Sequence, residues 1–183
     1  WRRMFPHGMI NRQGGAAIYL ERFSGGVIFG VLPWVVAQSD RLPGSDFSII
    51  SMPEGPGIWL LVCVLLGVLP TVFFNSRHSA ISATYPEIAG HQWSPRRILT
   101  NGLSWIIYLI GYEYLFRGIL LFGLAEVWSP WVAIVSMTLL YVLAHLHKPR
   151  AELLGCVPIG LSFGYVALAT NSISAPLISH VLI

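Results

Sequence analysis

Three side chains that can take part in catalysis lie inside apolar stretches of the chain. Glu113 stands in "YEYLFRGILL", His145 ends "LLYVLAH", and His180 lies in "APLISHVLI". An ionisable group inside a membrane costs about 2.5 to 3.5 kcal/mol on insertion scales, so such groups default to functional hypotheses. A lone histidine is more often a hydrogen-bonded core residue. Three segments that each carry one catalytic-type group together indicate a site.

A carboxylate and two imidazoles support hydrolysis in two ways. In the first, the carboxylate and one imidazole deprotonate water, and the second imidazole stabilises the oxyanion that forms on an amide. In the second, Glu113, His145 and His180 bind zinc and leave one coordination position open. Both schemes give peptide-bond hydrolysis, so the residues indicate the reaction class and leave the mechanism open.

Arg117 lies four residues after Glu113 and carries the opposite charge. Side chains at this spacing share one face of a helix, so the two can neutralise each other within an apolar bundle. Taken alone, the pair is as compatible with a helix-stabilising role as with a part in the site.

The composition places these residues in a membrane protein. Of 183 residues, 55% are hydrophobic and 10% are charged, whereas soluble domains carry about 25% charged residues. A spanning helix needs about 20 mostly apolar residues. We therefore predict an all-α, multi-pass transmembrane helical bundle with a single domain over residues 1–183. Its six candidate segments are 23–37 (extended backwards by 16–20), 57–74, 95–127, 130–145, 152–170 and 174–183.

Local signals define several of these helices more closely. Ser94, Ser129 and Ser174 stand where three segments begin, and we predict them as N-caps. Pro70 lies within the second segment and is expected to kink that helix without ending it.

The segment 95–127 is too long for a simple spanning helix. As one helix it would measure about 50 Å, against a hydrocarbon core of about 30 Å. We expect it to tilt, to begin in the interface, or to break at Gly102 or Gly111.

The basic residues alternate between the predicted connections. They precede the first segment, separate the second from the third, and separate the fourth from the fifth. They are Arg2, Arg3, Arg12, Arg22, Arg77, Arg96, Arg97, Lys148 and Arg150. The positive-inside rule then places the N-terminus in the cytoplasm. The net charge of +3 reflects this topology and gives no support for nucleic-acid binding.

The polar connection at 76–97 carries two aromatic residues, Tyr85 and Trp93. This pattern is equally compatible with an amphipathic segment on the cytoplasmic interface and with an ordinary loop.

The polar stretches resemble the motifs of the CPBP (Abi) intramembrane proteases, a family that includes the CAAX prenyl endopeptidases. "YEYLFRG" is similar to the first motif, Glu-Glu-x-x-x-Arg followed by Gly, and "YVLAH" is similar to Phe-x-x-x-His. "SAPLISH" resembles the approach to the third motif, His-x-x-x-Asn. The resemblance covers about residues 85–183, and "YPEI" at 85–88 is also similar to bacterial members.

The resemblance implies an intramembrane endopeptidase in a prokaryotic inner membrane, with the lipid bilayer and a membrane-associated peptide or protein as partners. Glu113 would be the general base or its close support with His145, and His180 would stabilise the oxyanion. Arg117 would orient Glu113. No cofactor is expected, and zinc remains the alternative. The substrate could be a prenylated C-terminus, a leader peptide or another membrane-bound chain.

Two supporting positions, Tyr112 and Tyr141, depart from the family pattern. Tyr112 stands where the family has its first glutamate, and a phenol with a reference pKa of about 10 cannot serve as a base at neutral pH. Tyr141 replaces the phenylalanine of the second motif, which is a mild change. Tyr112 therefore favours an alternative: a non-catalytic member that acts as a scaffold, an immunity protein or a subunit of a membrane complex.

The chain opens on Trp1 and stops at Ile183 within an apolar run. We expect both ends to continue in a longer protein. By the resemblance, the asparagine of the third motif would follow four residues after His180.

Overall fold

A computed structural model describes residues 14–38, 49, 51–52, 54–77, 87–88 and 93–183. These residues form six helices, which confirms the predicted all-α bundle. Helix α1 runs through Gly14–Gly26, Val27–Val31 and Leu32–Ala37, and α2 is Pro56–Asn75. Helix α3 runs through Pro95–Glu113, Tyr114–Leu120 and Leu121–Val127. The remaining helices are α4 (Pro130–Ala144), α5 (Arg150–Thr170) and α6 (Ser174–Leu182).

Four of the helices, α1, α2, α3 and α5, are long and apolar enough to cross a membrane. Helix α4 is apolar but shorter, with 15 residues. Many large hydrophobic side chains point outward, among them Trp59, Leu66 and Leu154. In water such a surface would be unfavourable, whereas in a bilayer it contacts lipid. The protein is therefore an integral membrane protein.

Two predicted N-caps are confirmed, and so is the prediction that Pro70 does not end its helix. Ser94 and Ser129 have an extended backbone, and each hydroxyl accepts a hydrogen bond from the backbone N–H three residues later. This contact pairs one of the N–H groups that a helix start leaves without an intrahelical acceptor. Pro70 lies within α2, and the helix continues beyond it to Asn75.

The prediction for Ser174 is wrong by one residue. Ile173 is the N-cap of α6, and Ser174 is already helical. The capping hydroxyl belongs to Ser172, whose Oγ accepts from the N–H of Ser174 at 3.1 Å. Ser172 also hydrogen-bonds the carbonyl oxygen of Ser51 at 3.0 Å, so the start of α6 is tied to the connection between α1 and α2.

Helix α3 does not break at Gly102 or at Gly111. Both glycines lie within the regular part, Pro95–Glu113, and the helix changes to π geometry only at Tyr114–Leu120. A π segment inside an α-helix is rare and often lies at a functional site. Here it begins directly after Glu113 and contains Arg117.

Close packing of α3 on α1 explains why Gly111 does not break the helix. A Cβ on Gly111 would lie 2.5 Å from the carbonyl oxygen of Gly26, and one on Gly30 would lie 3.2 Å from the Cα of Gly111. A Cβ on Gly26 would lie 2.9 Å from the carbonyl oxygen of Ile107. Glycines four residues apart in α1 thus let two helix backbones touch, as in other membrane helix pairs.

Gly111→Ala is expected to lower the thermal unfolding midpoint, because the added methyl group would overlap the backbone of α1. Overpacking of this kind costs about 1–3 kcal/mol. Gly102→Ala is the matched control in the same helix, because no atom of the described residues lies within 4 Å of a Cβ there. Its midpoint should stay equal or rise. Unfolding in detergent, followed by tryptophan fluorescence, measures both variants, and equal midpoints would argue against this packing.

A buried arginine joins helix ends on one side of the bundle. Arg22 in α1 donates to Asn101 at 2.9 Å and to Ser104 at 3.1 Å, both in α3. It also forms an ion pair with Glu87 at 3.0 Å. The other oxygen of Glu87 lies 3.5 Å from Lys148, which follows α4. The N-terminal halves of α1 and α3 and the C-terminal end of α4 therefore lie on one side of the bundle.

The connection at 76–97 is described only in part. Trp93 is exposed just before α3 begins, and Tyr85 lies outside the described residues. Its interfacial placement therefore stays a prediction.

Candidate active site

Glu113 is fully buried at the end of the regular part of α3. Its Oε1 accepts a hydrogen bond from Arg117 Nη1 at 3.0 Å and lies 2.6 Å from His180 Nδ1. Its Oε2 is buried and has no hydrogen-bonding partner among the described residues. The predicted pair of Glu113 and Arg117 is formed, and α6 adds His180 to it.

The imidazole that contacts Glu113 is that of His180, although the sequence led us to expect His145. A buried carboxylate that also binds Arg117 acts as an acceptor, so the Nδ1–H of His180 donates to it. In the neutral ring, Nε2 is then the acceptor. A carboxylate on one ring nitrogen fixes the orientation of the imidazole and the position of its free lone pair.

His145 lies at the C-terminal end of α4, where a backbone carbonyl fixes its tautomer. Its Nδ1 is 2.9 Å from the carbonyl oxygen of Tyr141 and 3.5 Å from the hydroxyl oxygen of Tyr112. A carbonyl oxygen only accepts, so Nδ1 carries the proton and donates it to Tyr141. The Nε2 of His145 is therefore also an acceptor.

Tyr112 packs against both histidines. Its ring centroid lies 6.1 Å from that of His145 and 6.0 Å from that of His180, edge to face in each case. The ring is buried and stacks on Phe116 at 4.5 Å. The structure thus brings Glu113 into direct contact with His180. It places His145 against the ring of Tyr112.

Two aromatic rings cover the guanidinium of Arg117. Its central carbon lies 4.2 Å from the ring centroid of Tyr141 and 5.5 Å from that of Phe163. Because Arg117 is fully buried, cation–π attraction contributes to holding the cation there. The ring centroid of Phe163, in α5, also lies 6.0 Å from that of His180. Phe163 was not among the predicted site residues, because an aromatic residue in an apolar helix carries no signal of its own.

Zinc binding by Glu113, His145 and His180 stays a prediction. One oxygen of Glu113 contacts both Arg117 and His180, and the Nδ1 of His145 contacts the carbonyl oxygen of Tyr141. In the described part of the chain, no three His, Cys, Asp or Glu side chains are placed to hold a metal ion.

Comparison with known proteins identifies the family. Residues 94–183 match the model of the family described as Type II CAAX prenyl endopeptidase Rce1-like. Neither the comparison with curated proteins nor that with solved structures finds a significant match. The matched range contains all the candidate site residues, Tyr112, Glu113, Arg117, Tyr141, His145, Phe163 and His180. Through residues 94–183, the chain belongs to the CAAX protease-like family of membrane proteins.

Proposed function

We propose that the protein is an intramembrane endopeptidase that hydrolyses a peptide bond in a membrane-associated substrate. The observation that carries this proposal is the buried contact between Glu113 and His180 at 2.6 Å, with His145 close by. Arg117 alone already balances the charge of Glu113. The neutral imidazoles of His145 and His180 do not help to balance this charge. Their Nε2 atoms, which have no hydrogen-bonding partner among the described residues, are instead groups that proton transfer requires.

His180 is the base in this proposal, and Glu113 and Arg117 are positioning residues. The bond from Nδ1–H to Glu113 orients the ring and stabilises the imidazolium that forms when Nε2 takes a proton. This assignment differs from the expectation that Glu113 works with His145 while His180 stabilises the oxyanion. The difference follows from which imidazole contacts the carboxylate.

The reaction is the addition of water to an amide. The water oxygen bonds to the carbonyl carbon, its proton passes to Nε2 of His180, and the carbonyl π electrons move onto oxygen. When the intermediate collapses, the C–N bond breaks and its electron pair stays on nitrogen, which takes the proton from His180. The Nε2 of His145 is a second acceptor that orients the attacking water.

We place the site toward the cytoplasmic half of the bilayer, with the N-terminus in the cytoplasm. His145 stands three residues before Lys148, which shares one side of the bundle with Arg22. The positive-inside rule makes this basic side cytoplasmic. A substrate anchored in the inner leaflet, through a lipid or an apolar segment, would reach the site from that side.

The proposal is tested by cleavage assays on the purified chain in liposomes. The substrates are quenched fluorescent peptides of three classes: prenylated C-terminal peptides, leader peptides and peptides with a spanning anchor. We expect cleavage of at least one class, and a loss of about 100-fold in His145→Ala, because the attacking water loses the acceptor that orients it and misplacement of a reactant costs on this scale. His147→Ala is the matched control, because His147 is exposed two residues further on.

The control should cleave at the parental rate. If no class is cleaved, or if His145→Ala cleaves as fast as the parent, the non-catalytic alternative is favoured: a scaffold, an immunity protein or a subunit of a membrane complex.

A further inference from the structure

We propose that the hydroxyl group of Tyr112 donates the hydrogen bond that stabilises the oxyanion during hydrolysis. This inference rests on the proposed endopeptidase function and names a further catalytic residue for it. It starts from the proton positions on the two histidines, which the neighbouring acceptors determine.

In each neutral imidazole, the single N–H group already donates a hydrogen bond. His180 donates Nδ1–H to Glu113, and His145 donates Nδ1–H to the carbonyl oxygen of Tyr141. Each neutral ring therefore presents only an acceptor, Nε2, to a substrate. The oxygen of an attacked amide needs a hydrogen-bond donor, and another residue has to supply that donor.

The hydroxyl proton of Tyr112 is free for this purpose. Its oxygen lies 3.5 Å from Nδ1 of His145, and that nitrogen has no lone pair to offer, because it carries the proton donated to Tyr141. No other hydrogen bond of this hydroxyl is found within the described ranges. A buried donor left without an acceptor costs about 1–3 kcal/mol. A substrate carbonyl oxygen would remove that cost.

Arg117 also has donors that find no hydrogen-bonding partner in the described part of the chain, at Nε and Nη2. Its guanidinium is fully buried, however, and the rings of Tyr141 and Phe163 cover it. The Tyr112 hydroxyl instead lies beside His145, which is only partly buried. Tyr112 is thus the donor closest to the side from which a substrate can approach.

Tyrosine in place of the family's glutamate changes what this position can do. A carboxylate accepts protons and hydrogen bonds, whereas a protonated phenol at neutral pH donates one. The departure at Tyr112 then moves the role of base to His180 and supplies an oxyanion donor instead. A chain without the first glutamate can in this way remain a hydrolase.

Tyr112→Phe tests the inference, because it removes the hydroxyl and keeps the ring that stacks on Phe116. We expect kcat to fall by about 100- to 1,000-fold, the effect of losing one oxyanion donor, while KM changes by less than about twofold. Tyr108→Phe is the control: Tyr108 stands one turn earlier and stacks on Tyr112 at 5.7 Å. Its kcat should equal that of the parent, on the peptide that the parent cleaves fastest.

A kcat of Tyr112→Phe within about threefold of the parent would overturn the inference. So would a raised KM with kcat retained, which marks an interaction equally strong in the ground state and the transition state. Faster turnover by Tyr112→Glu would also overturn it, since the position would then act as a base. If cleavage depends on His145 but not on the Tyr112 hydroxyl, this inference alone fails. If the parent shows no cleavage that depends on His145, the proposed function fails with it.

Discussion

Glu113→Gln is expected to slow peptide cleavage by about 1,000- to 10,000-fold and also to lower the unfolding midpoint, because it leaves the buried Arg117 without its counter-charge. The amide keeps the shape of the carboxylate and can still accept from His180, but it lacks the charge that stabilises the imidazolium. Replacing the carboxylate of a catalytic carboxylate–imidazole pair by an amide costs about 10⁴-fold in a serine protease. The rate is measured in liposomes with the fluorescent peptides, and circular dichroism follows the fold.

Glu126→Gln is the matched control in the same helix, because Glu126 is exposed near the C-terminal end of α3. Its rate should equal the parental rate. Cleavage by Glu113→Gln at the parental rate would show that the carboxylate has no role in turnover, and the proposed pair with His180 would be wrong.

Arg117→Leu is expected to destabilise the protein by about 3–5 kcal/mol, which is the cost of breaking a buried ion pair from one side. The change leaves the carboxylate of Glu113 fully buried without its guanidinium partner. The fall should appear as a lower unfolding midpoint in detergent, together with loss of cleavage. Arg77→Leu is the control, because Arg77 is an exposed arginine after the end of α2.

The double variant Glu113→Leu, Arg117→Leu separates stability from catalysis. Apolar side chains in place of a buried ion pair are often neutral or stabilising, so the double variant should regain most of the stability lost in Arg117→Leu. It should nevertheless be inactive, because His180 has lost its orienting carboxylate. A double variant that cleaves peptides would reduce Glu113 and Arg117 to a neutralising pair.

Most of the fold could be predicted from the sequence, because its signals are local. The length of apolar segments determines spanning helices, and a serine before a proline determined the starts of α3 and α4. The prediction of Ser174 as an N-cap was wrong because Ser172, two residues earlier, also has a hydroxyl group, and this one accepts from the N–H of Ser174. The prediction of a break at Gly111 was wrong because a glycine within a helix suggests a break when only its own segment is considered. Here Gly111 allows a contact with Gly26 in another helix.

The components of the candidate site could also be predicted, but their pairing could not. The spacing of Glu113 and Arg117 along one helix fixes their contact. Whether His145 or His180 approaches Glu113 depends on how α4 and α6 pack against α3, and no spacing within one helix encodes that. The change to π geometry at Tyr114–Leu120 was likewise invisible, because it has no characteristic residue type in this chain.

The hydrolytic role of the site is tested most directly by the products that form in isotopically labelled water. Parent protein and His180→Ala are incubated in liposomes with the peptide that the parent cleaves fastest, and mass spectrometry analyses the fragments. Direct attack of water predicts labelled oxygen in the new carboxyl terminus from the parent and no product above background from His180→Ala. Fragments without label from the parent, or equal amounts of product from the two proteins, would contradict hydrolysis by the Glu113 and His180 pair.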